Sequence, residues 1–328
     1  MSPEPTVFLV NPLPRALAHY QAAVLQTLDR IGVCAAVIDT PSSELTGLSK
    51  TEKLRRLVTL MQSRWRLRRD SRELLILWPA FGYGDALIWA TKRTRRTLVI
   101  HDPIPLRPTL ASGPFSARVS ARLTKRSSTQ ILAHTDAASS DLQAFGWNAP
   151  FVAAHPYLMS SVSRSPSRRR IVVAGQFKSA RDTHLLERLG PLLREAGFEP
   201  RIVGRGWPEE IPGWAVNARF LSESELDQEL SDAEVVLLPY TRVYQSGIAI
   251  RSAEMNTPVV GPADSNIPEI FGKDWCGLVT AGSADSAWLA AITEASQNAG
   301  PEIENRLAIW RLNVDEQWRG LSRARGWL

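Results

Sequence analysis

The sequence predicts an α/β protein of two domains, each an open parallel sheet flanked by helices. Three observations carry that prediction. Short apolar runs alternate with helical patterns along nearly the whole chain, which is the signature of parallel strands joined by helical crossovers. Several of those runs are uninterrupted, Val235 to Leu238 among them, as a strand buried on both faces requires. The alternation stops at SSVSRSPSRRR, residues 160–170, and then restarts; a serine and arginine stretch without apolar periodicity marks a boundary between domains.

The elements follow in order. The first half reads TVFLV, a helix over 19–31, CAAVI, a long helix over 51–69, ELLILW, a helix near 85–94, TLVI, TQILA, a helix closing at 142–147, and FVAA. The second half reads RIVVAG, a helix over 182–196, PRIVG, a loop rich in Gly, Trp and Pro, a short ARFL strand, a helix after Ser222, the run ending at Leu238, a helix starting at Ser246, then PVVG, CGLV and a final helical region. Within that region 308–321 is amphipathic through Trp310, Leu312, Val314, Trp318 and Leu321, and is expected to pack back across both domains. The expected division is therefore 1–160, a linker over 161–170, 171–307, and a returning helix over 308–328, with the two sheets facing each other across a hinge.

Composition narrows the function classes. A chain of 328 residues that is 44% apolar can fill two cores. No apolar stretch approaches the roughly 20 residues needed to span a bilayer, and MSPEPTVFLVNP lacks the pattern of a secretory signal, so a cytoplasmic location is expected. Cys34 and Cys276 are too few for a disulfide framework or a zinc cluster. Charge is uneven: residues 1–150 hold 20 Lys and Arg against 11 Asp and Glu, whereas the whole chain carries +6. The first half is thus suited to an anionic partner. Residues 53–69 combine Leu54, Leu57, Val58, Met61 and Trp65 with seven Lys or Arg, and PFSARVSARLTKR sets Phe115, Val119 and Leu123 four apart beside Arg118, Arg122, Lys125 and Arg126. Such faces can settle on anionic lipid headgroups; equally, their apolar sides can pack inward and leave the arginines solvated. Nucleic acid is not expected, because no nucleic-acid motif accompanies the charge.

The chemistry concentrates in 232–261, DAEVVLLPYTRVYQSGIAIRSAEMNTPVVG. A buried strand ends at Pro239, a loop runs to Gln245, and Ser246 can cap a helix that Gly247 opens. Unsatisfied N–H groups and the positive end of the helix dipole would meet a phosphate in front of that turn. Glu254 follows two turns later, about 12 Å along the axis, near the reach from a diphosphate to a ribose. An ordinary strand–helix–strand unit with a solvated glutamate gives the same pattern.

In the first half His101, His134 and His155 each follow a strand, at the carboxyl rim where ligands of such folds bind. His134 and His155 read as structural turn residues. A metal site built from His101, Asp102, His134 and Asp136 has suitable ligand types but no compact spacing. The first strand–helix turn holds Asn11 and, further on, His19, both acceptor-side candidates; its lack of glycine argues against a nicotinamide fingerprint. Gly82-Tyr83-Gly84-Asp85 is a further cleft candidate and equally a tight turn.

Taken in order, VVAGQFKSARD, PRIVGRGWP, SESELDQELSDAEVVLLPY, QSGIAIRSAEMNTPVVG and IPEIFGKDWCGLV resemble a retaining glycosyltransferase of the GT-B fold, in particular glycosyltransferase family 4. The resemblance covers most of 170–280 well and the first domain loosely. It implies two facing Rossmann-like domains, transfer of a sugar from a nucleoside diphosphate donor to a hydroxyl acceptor, free or lipid-linked, and no required cofactor or metal. Members carry two glutamates separated by seven residues; Glu254 matches the second, which holds the donor ribose, while Ser246 stands at the first. A basic pair after the first strand of the second domain neutralises the leaving diphosphate. Here Gln176 occupies the usual arginine position, so Arg181 or Lys178 would supply the charge. Gly175, Gln176, Gly204, Arg205, Tyr244, Gln245, Ser246 and Gly247 would line the nucleotide-sugar site, the loop GRGWPEEIPG that contains Trp207 would approach the base, and His101 of His101-Asp102-Pro103 would contact the donor sugar. Asp102 joins Asn11 and His19 on the acceptor side. The implied role is cell-surface glycan or glycolipid synthesis; the basic faces of the first half, by their charge, add the expectation of a peripheral place at the inner face of the cell membrane. A nucleotide-sugar epimerase and a non-catalytic basic scaffold are the alternatives.

Overall fold

The computed structural model describes residues 4–43, 49–69, 71–90, 95–105, 111–159, 169–241, 243–298 and 300–328, with the Lys50 side chain excluded. Most of the expected linker lies outside these residues. The chain divides into two compact units, one of 1–158 with 313–328 and the other of 159–312.

The first unit runs β1 (Val7–Val10), α1 (Ala18–Arg30), β2 (Ala35–Ile38), α2 (Lys50–Arg68), β3 (Leu74–Ile76), α3 (Gly84–Trp89), β4 (Arg96–Val99), α4 (Pro114–Thr124), β5 (Thr129–Ala133), α5 (Asp136–Ala144) and β6 (Phe151–Val152). Its sheet has the order β2-β1-β3-β4-β5-β6, all parallel. The order reverses at β1, where Val10 pairs with both Ile38 and Ile76. Leu74, Leu75, Ile76, Leu98 and Val99 are wholly buried, which explains why these strands read as continuous apolar runs rather than alternating ones.

The second unit runs β7 (Arg170–Ala174), α6 (Thr183–Glu195), β8 (Glu199–Val203), β9 (Ala215–Asn217), α7 (Glu223–Ser231), β10 (Val235–Leu237), α8 (Gly247–Glu254), β11 (Val259–Pro262), α9 (Ile267–Phe271), β12 (Leu278–Val279) and α10 (Asp285–Gln297). The order is β12-β11-β10-β7-β8-β9, again all parallel, and it reverses between β7 and β10. The strand expected at ARFL lies earlier: Ala215–Asn217 pair with Arg201–Val203, whereas Phe220 is exposed. Turn residues before Trp214 concealed that three-residue strand. The helix expected over 85–94 ends at Trp89, with 91–94 outside the described residues.

The last helix, α11 (Pro301–Arg325), gives its first residues to the second unit and Asn313 onward to the first. In the second unit Arg306 pairs with Asp274 and Glu302, and Arg311 donates to the Ala253 carbonyl and Asn256. In the first unit Trp318 Nε1 donates to the Ala154 carbonyl at 2.9 Å, Arg30 pairs with Asp315 and Arg325 with Glu73. Leu312, expected on the packed face, is exposed. Among the described residues no helix is long and apolar enough to cross a membrane.

Candidate functional site

The second sheet reverses between β7 and β10, and the carboxyl ends of those strands frame the place where open α/β sheets bind ligands. After β7 the chain turns at Gly175, whose φ of 93° is left-handed. After β8 it turns at Gly204, with φ 136°; a Cβ there would stand 2.3 Å from the Gly175 carbonyl oxygen. Only glycine lets the two loops touch. The contact is locked by backbone bonds from Gly175 to Val203 and from Phe177 to Arg205, and Arg205 also donates to Gln176 at 3.2 Å. Gly175, Gln176, Gly204 and Arg205 are therefore neighbours.

Arg181 reaches this junction from the loop ahead of α6. Its guanidinium lies 5.0 Å from the Trp207 ring and 4.9 Å from the Tyr240 ring, and one Nη donates to the Ala174 carbonyl at 2.6 Å. Backbone bonds hold it there: Asp182 donates to the Pro239 carbonyl, and Thr241 donates to that of Ala180. Arg181 is 4% exposed, yet its Nε and other Nη have no hydrogen-bond partner, and none of the described ion pairs includes it. Burial pulls the guanidinium below the ordinary arginine range, opposed by Tyr240. A buried cation with two unsatisfied donors is costly unless an anion reaches it. Lys178, the other candidate cation, is exposed in the same loop.

The end of β10 leads to α8. Ser246 is its N-cap, extended at φ −108° and ψ 111°, and accepts from the Ala249 N–H at 3.3 Å. The Ser246 N–H donates to Asn266 Oδ1 at 3.0 Å. The next N–H groups, on Gly247 and Ile248, precede any intrahelical carbonyl they could reach. A Cβ on Gly247 would meet nothing within 4 Å, so the space before the helix is open. A Cβ on Gly175 would lie 3.2 Å from an Arg181 Nη and 3.3 Å from Ile248 Cδ1, so the first turn of α8 and the guanidinium flank the same glycine. Gln245 Oε1 and Asn266 Nδ2 are further buried polar atoms without partners. Tyr244 is half-buried in the preceding loop. Glu254 ends α8, buried, two turns from the cap.

Trp207 lies in the loop expected to approach the base. It is buried, its indole N–H donates to the Gly175 carbonyl at 2.9 Å, and its ring meets Phe177 edge-on. The same ring packs against the Arg181 guanidinium. Tyr240 and Asn266 were not singled out from the sequence. The Pro-Tyr after a strand and the Asn before IPEIF are too common for either to signal a site.

In the first unit His101, His134 and His155 gather around Tyr20. Ring centroids lie 4.7, 5.5 and 5.0 Å from Tyr20, and Trp78 is 5.2 Å from His101. His134 donates from Nδ1 to the Ala153 carbonyl at 2.7 Å, so neutral Nε2 accepts from the Tyr20 hydroxyl, also at 2.7 Å. His155 donates from Nδ1 to the Pro156 carbonyl and His101 from Nε2 to that of Leu77. Burial first, then His101, pulls His134 down to about 3; burial likewise holds His155 well below the usual histidine range, and it raises Tyr20. His19 is half-buried and acts electrostatically on His155, and Asp102 is half-buried beside His101. Among the described residues no group of three or more His, Cys, Asp or Glu has an arrangement that could hold a metal ion.

Two first-unit candidates also hold local structure together. Asn11 donates to Gln21 and accepts from the Leu13 N–H, both at 2.9 Å, which fixes the β1–α1 turn. Gly82-Tyr83-Gly84-Asp85 is a structural turn: Gly82 has φ 53° with the Ala111 carbonyl where a Cβ would stand, and Asp85 is buried in an ion pair with Arg64. Arg64 thereby leaves the basic face to which its neighbours belong.

No family model matches the chain, and no curated protein matches it. Solved structures do. HepE of Anabaena, in complex with UDP and glucose, superposes with a TM-score of 0.69 at 13% identity over 98% of this chain and 100% of its own. The chain has the GT-B fold. WaaG, a glycosyltransferase involved in lipopolysaccharide biosynthesis, shares it with a TM-score of 0.56 at 11% identity, over 94% of this chain and 95% of that one. The pneumococcal O-GlcNAc transferase GtfA, in complex with UDP and GlcNAc, shares it with a TM-score of 0.57 at 10% identity over 81% and 60% of the two chains.

Proposed function

We propose that this GT-B protein is a retaining glycosyltransferase that moves a sugar from a nucleoside diphosphate donor to a hydroxyl acceptor. The observation that carries the reading is the buried Arg181 guanidinium, two of its donors unmatched, beside the N-terminus of α8 at the point where the second sheet reverses. Departure of the sugar leaves negative charge on the diphosphate, and fixed donors in a water-poor site stabilise that charge most. Arg181, Lys178 and the Gly247 and Ile248 N–H groups supply such donors, and Glu254 accepts from the ribose hydroxyls. His101 touches the donor sugar; with Nε2–H held by Leu77, the neutral ring has Nδ1 as its acceptor nitrogen. That assignment rests on the family resemblance. Asp102 and His19 belong to the acceptor side. The UDP held by HepE and GtfA favours a uridine diphosphate sugar as donor, and the role in WaaG favours a cell-surface glycan or glycolipid product.

A thermal-shift panel of nucleoside diphosphates and their sugars tests the reading, because a ligand of the native state at a hundred times its Kd adds about 2.7 kcal/mol of stability. One nucleotide family is expected to raise the melting temperature, and Arg181→Ala and Glu254→Ala to diminish the rise. A flat panel, or unchanged affinity in both variants, overturns it. Product formed with and without acceptor separates transfer from epimerisation, and the anomeric configuration of the product tests retention.

A further inference from the structure

The long helix α2 does not bury all of its apolar residues. Leu57, Leu60, Arg64 and Leu67 point inward, whereas Leu54, Val58, Met61 and Trp65 are 65, 48, 45 and 54% exposed. Their spacing of four, three and four places them within one narrow stripe along the helix. Guanidiniums border the stripe: those of Arg68 and Arg69 lie 5.6 and 5.5 Å from the Trp65 ring, and Arg55 and Arg66 are exposed on the adjoining flank.

The helix α4 repeats the pattern. Phe115 and Leu123 are 79 and 65% exposed with Val119 between them, and Arg118, Arg122, Lys125 and Arg126 are exposed beside them. The two helices share a layer. In the order β2-β1-β3-β4-β5, the β2–β3, β3–β4 and β4–β5 connections all step in one direction, so right-handed crossovers put α2, α3 and α4 on one side of the sheet. The packing of α3 against both of the others agrees.

We infer that this helical face of the first unit docks on an anionic lipid surface, the exposed stripes of α2 and α4 entering the headgroup region and the arginines meeting lipid phosphates. Charge selects that occupant. From Pro114 to Arg126 there is no acidic residue, and the sole carboxylate from Thr51 to Arg69, Glu52, is turned back to cap Ser49. A second copy of the face would oppose arginine to arginine. Long cationic side chains beside Trp, Leu and Met are what an interface between water and acyl chains accommodates. The inference goes beyond sugar transfer and is independent of it.

Co-sedimentation of the full chain with vesicles tests it, using phosphatidylcholine alone and with roughly one phosphatidylglycerol in four lipids. The chain is expected to pellet with the anionic vesicles only. The triple variant Leu54→Ser, Met61→Ser, Trp65→Ser is expected to bind roughly tenfold more weakly with the parent's melting temperature, and the α4 variant Phe115→Ser, Leu123→Ser to weaken binding independently. Failure of the parent to pellet with anionic vesicles, or pelleting of both variants equal to the parent's, overturns the inference, whatever the nucleotide panel shows.

Discussion

The Tyr20 hydroxyl donates to His134 Nε2, and the Ala153 carbonyl accepts from Nδ1–H of the same ring. Both nitrogens are thereby committed in the neutral form. A proton added to Nε2 would end its role as acceptor for the Tyr20 hydroxyl and place a charge inside a buried cluster of three imidazoles.

Acid should therefore loosen the first unit. His134 titrates at about 3 in the folded chain and at about 6.5 when unfolded. Between those values the unfolded chain binds the extra proton, so stability is complete above about pH 6.5 and falls as pH drops towards 3, by up to about 1.4 kcal/mol per unit for one group. His155 acts in the same sense. Urea midpoints measured at about pH 7.5 and about pH 5 should differ more for the parent than for His134→Asn. Equal differences would refute the assignment.

The buried pair of Arg64 and Asp85 gives a second expectation. Burial draws the Arg64 guanidinium down to about 10, and rings of Phe81 and Trp89 lie 4.9 and 5.6 Å from it. Removing only the carboxylate strands the cation, so Asp85→Ala should cost about 3–5 kcal/mol in chemical denaturation. The double variant Arg64→Met, Asp85→Ala should regain most of that loss.

Gly247 separates fold from ligand. Nothing lies within 4 Å of a Cβ placed there, and Gly247→Ala at a helix start should leave stability within about 1 kcal/mol of the parent, on the favourable side. Under the proposed function a phosphate approaches that backbone, so nucleotide affinity by calorimetry should fall although the melting temperature does not. Unchanged affinity would place the ligand elsewhere.

Salt should distinguish the two cations. Lys178 is exposed and Arg181 is buried, so mobile ions screen the first far more than the second. Arg181→Gln is expected to weaken diphosphate binding roughly ten- to a hundredfold, the worth of one or two charge-assisted hydrogen bonds, at low and high salt alike. The smaller effect of Lys178→Ala should fade as salt rises.

The sequence made the sheets legible because a strand buried on both faces leaves a continuous apolar run, as Val235–Leu237 and 171–174 do. It made the Ser246 cap legible because capping is local chemistry. Ala215–Asn217 escaped notice because its strand character comes from pairing with β8, which no short window contains. The exposed and buried faces of α2 were not separable either: Leu54 and Leu57 look alike until the helix is set on its sheet. Arg64 shows the same limit, since its partner Asp85 is 21 residues away. The seating of Arg181 between Trp207 and Tyr240 unites three segments, and only the fold brings them together.

The closing turns of α11 have a consequence for biosynthesis. Trp318 and Arg325 seal the first unit through Ala154 and Glu73, yet they leave the ribosome after the whole of the second unit. The N-terminal sheet must wait, its seat for Trp318 uncovered, while the later unit is made and can already fold. Chaperone dependence during translation should then fall on the half of the chain that is synthesised first.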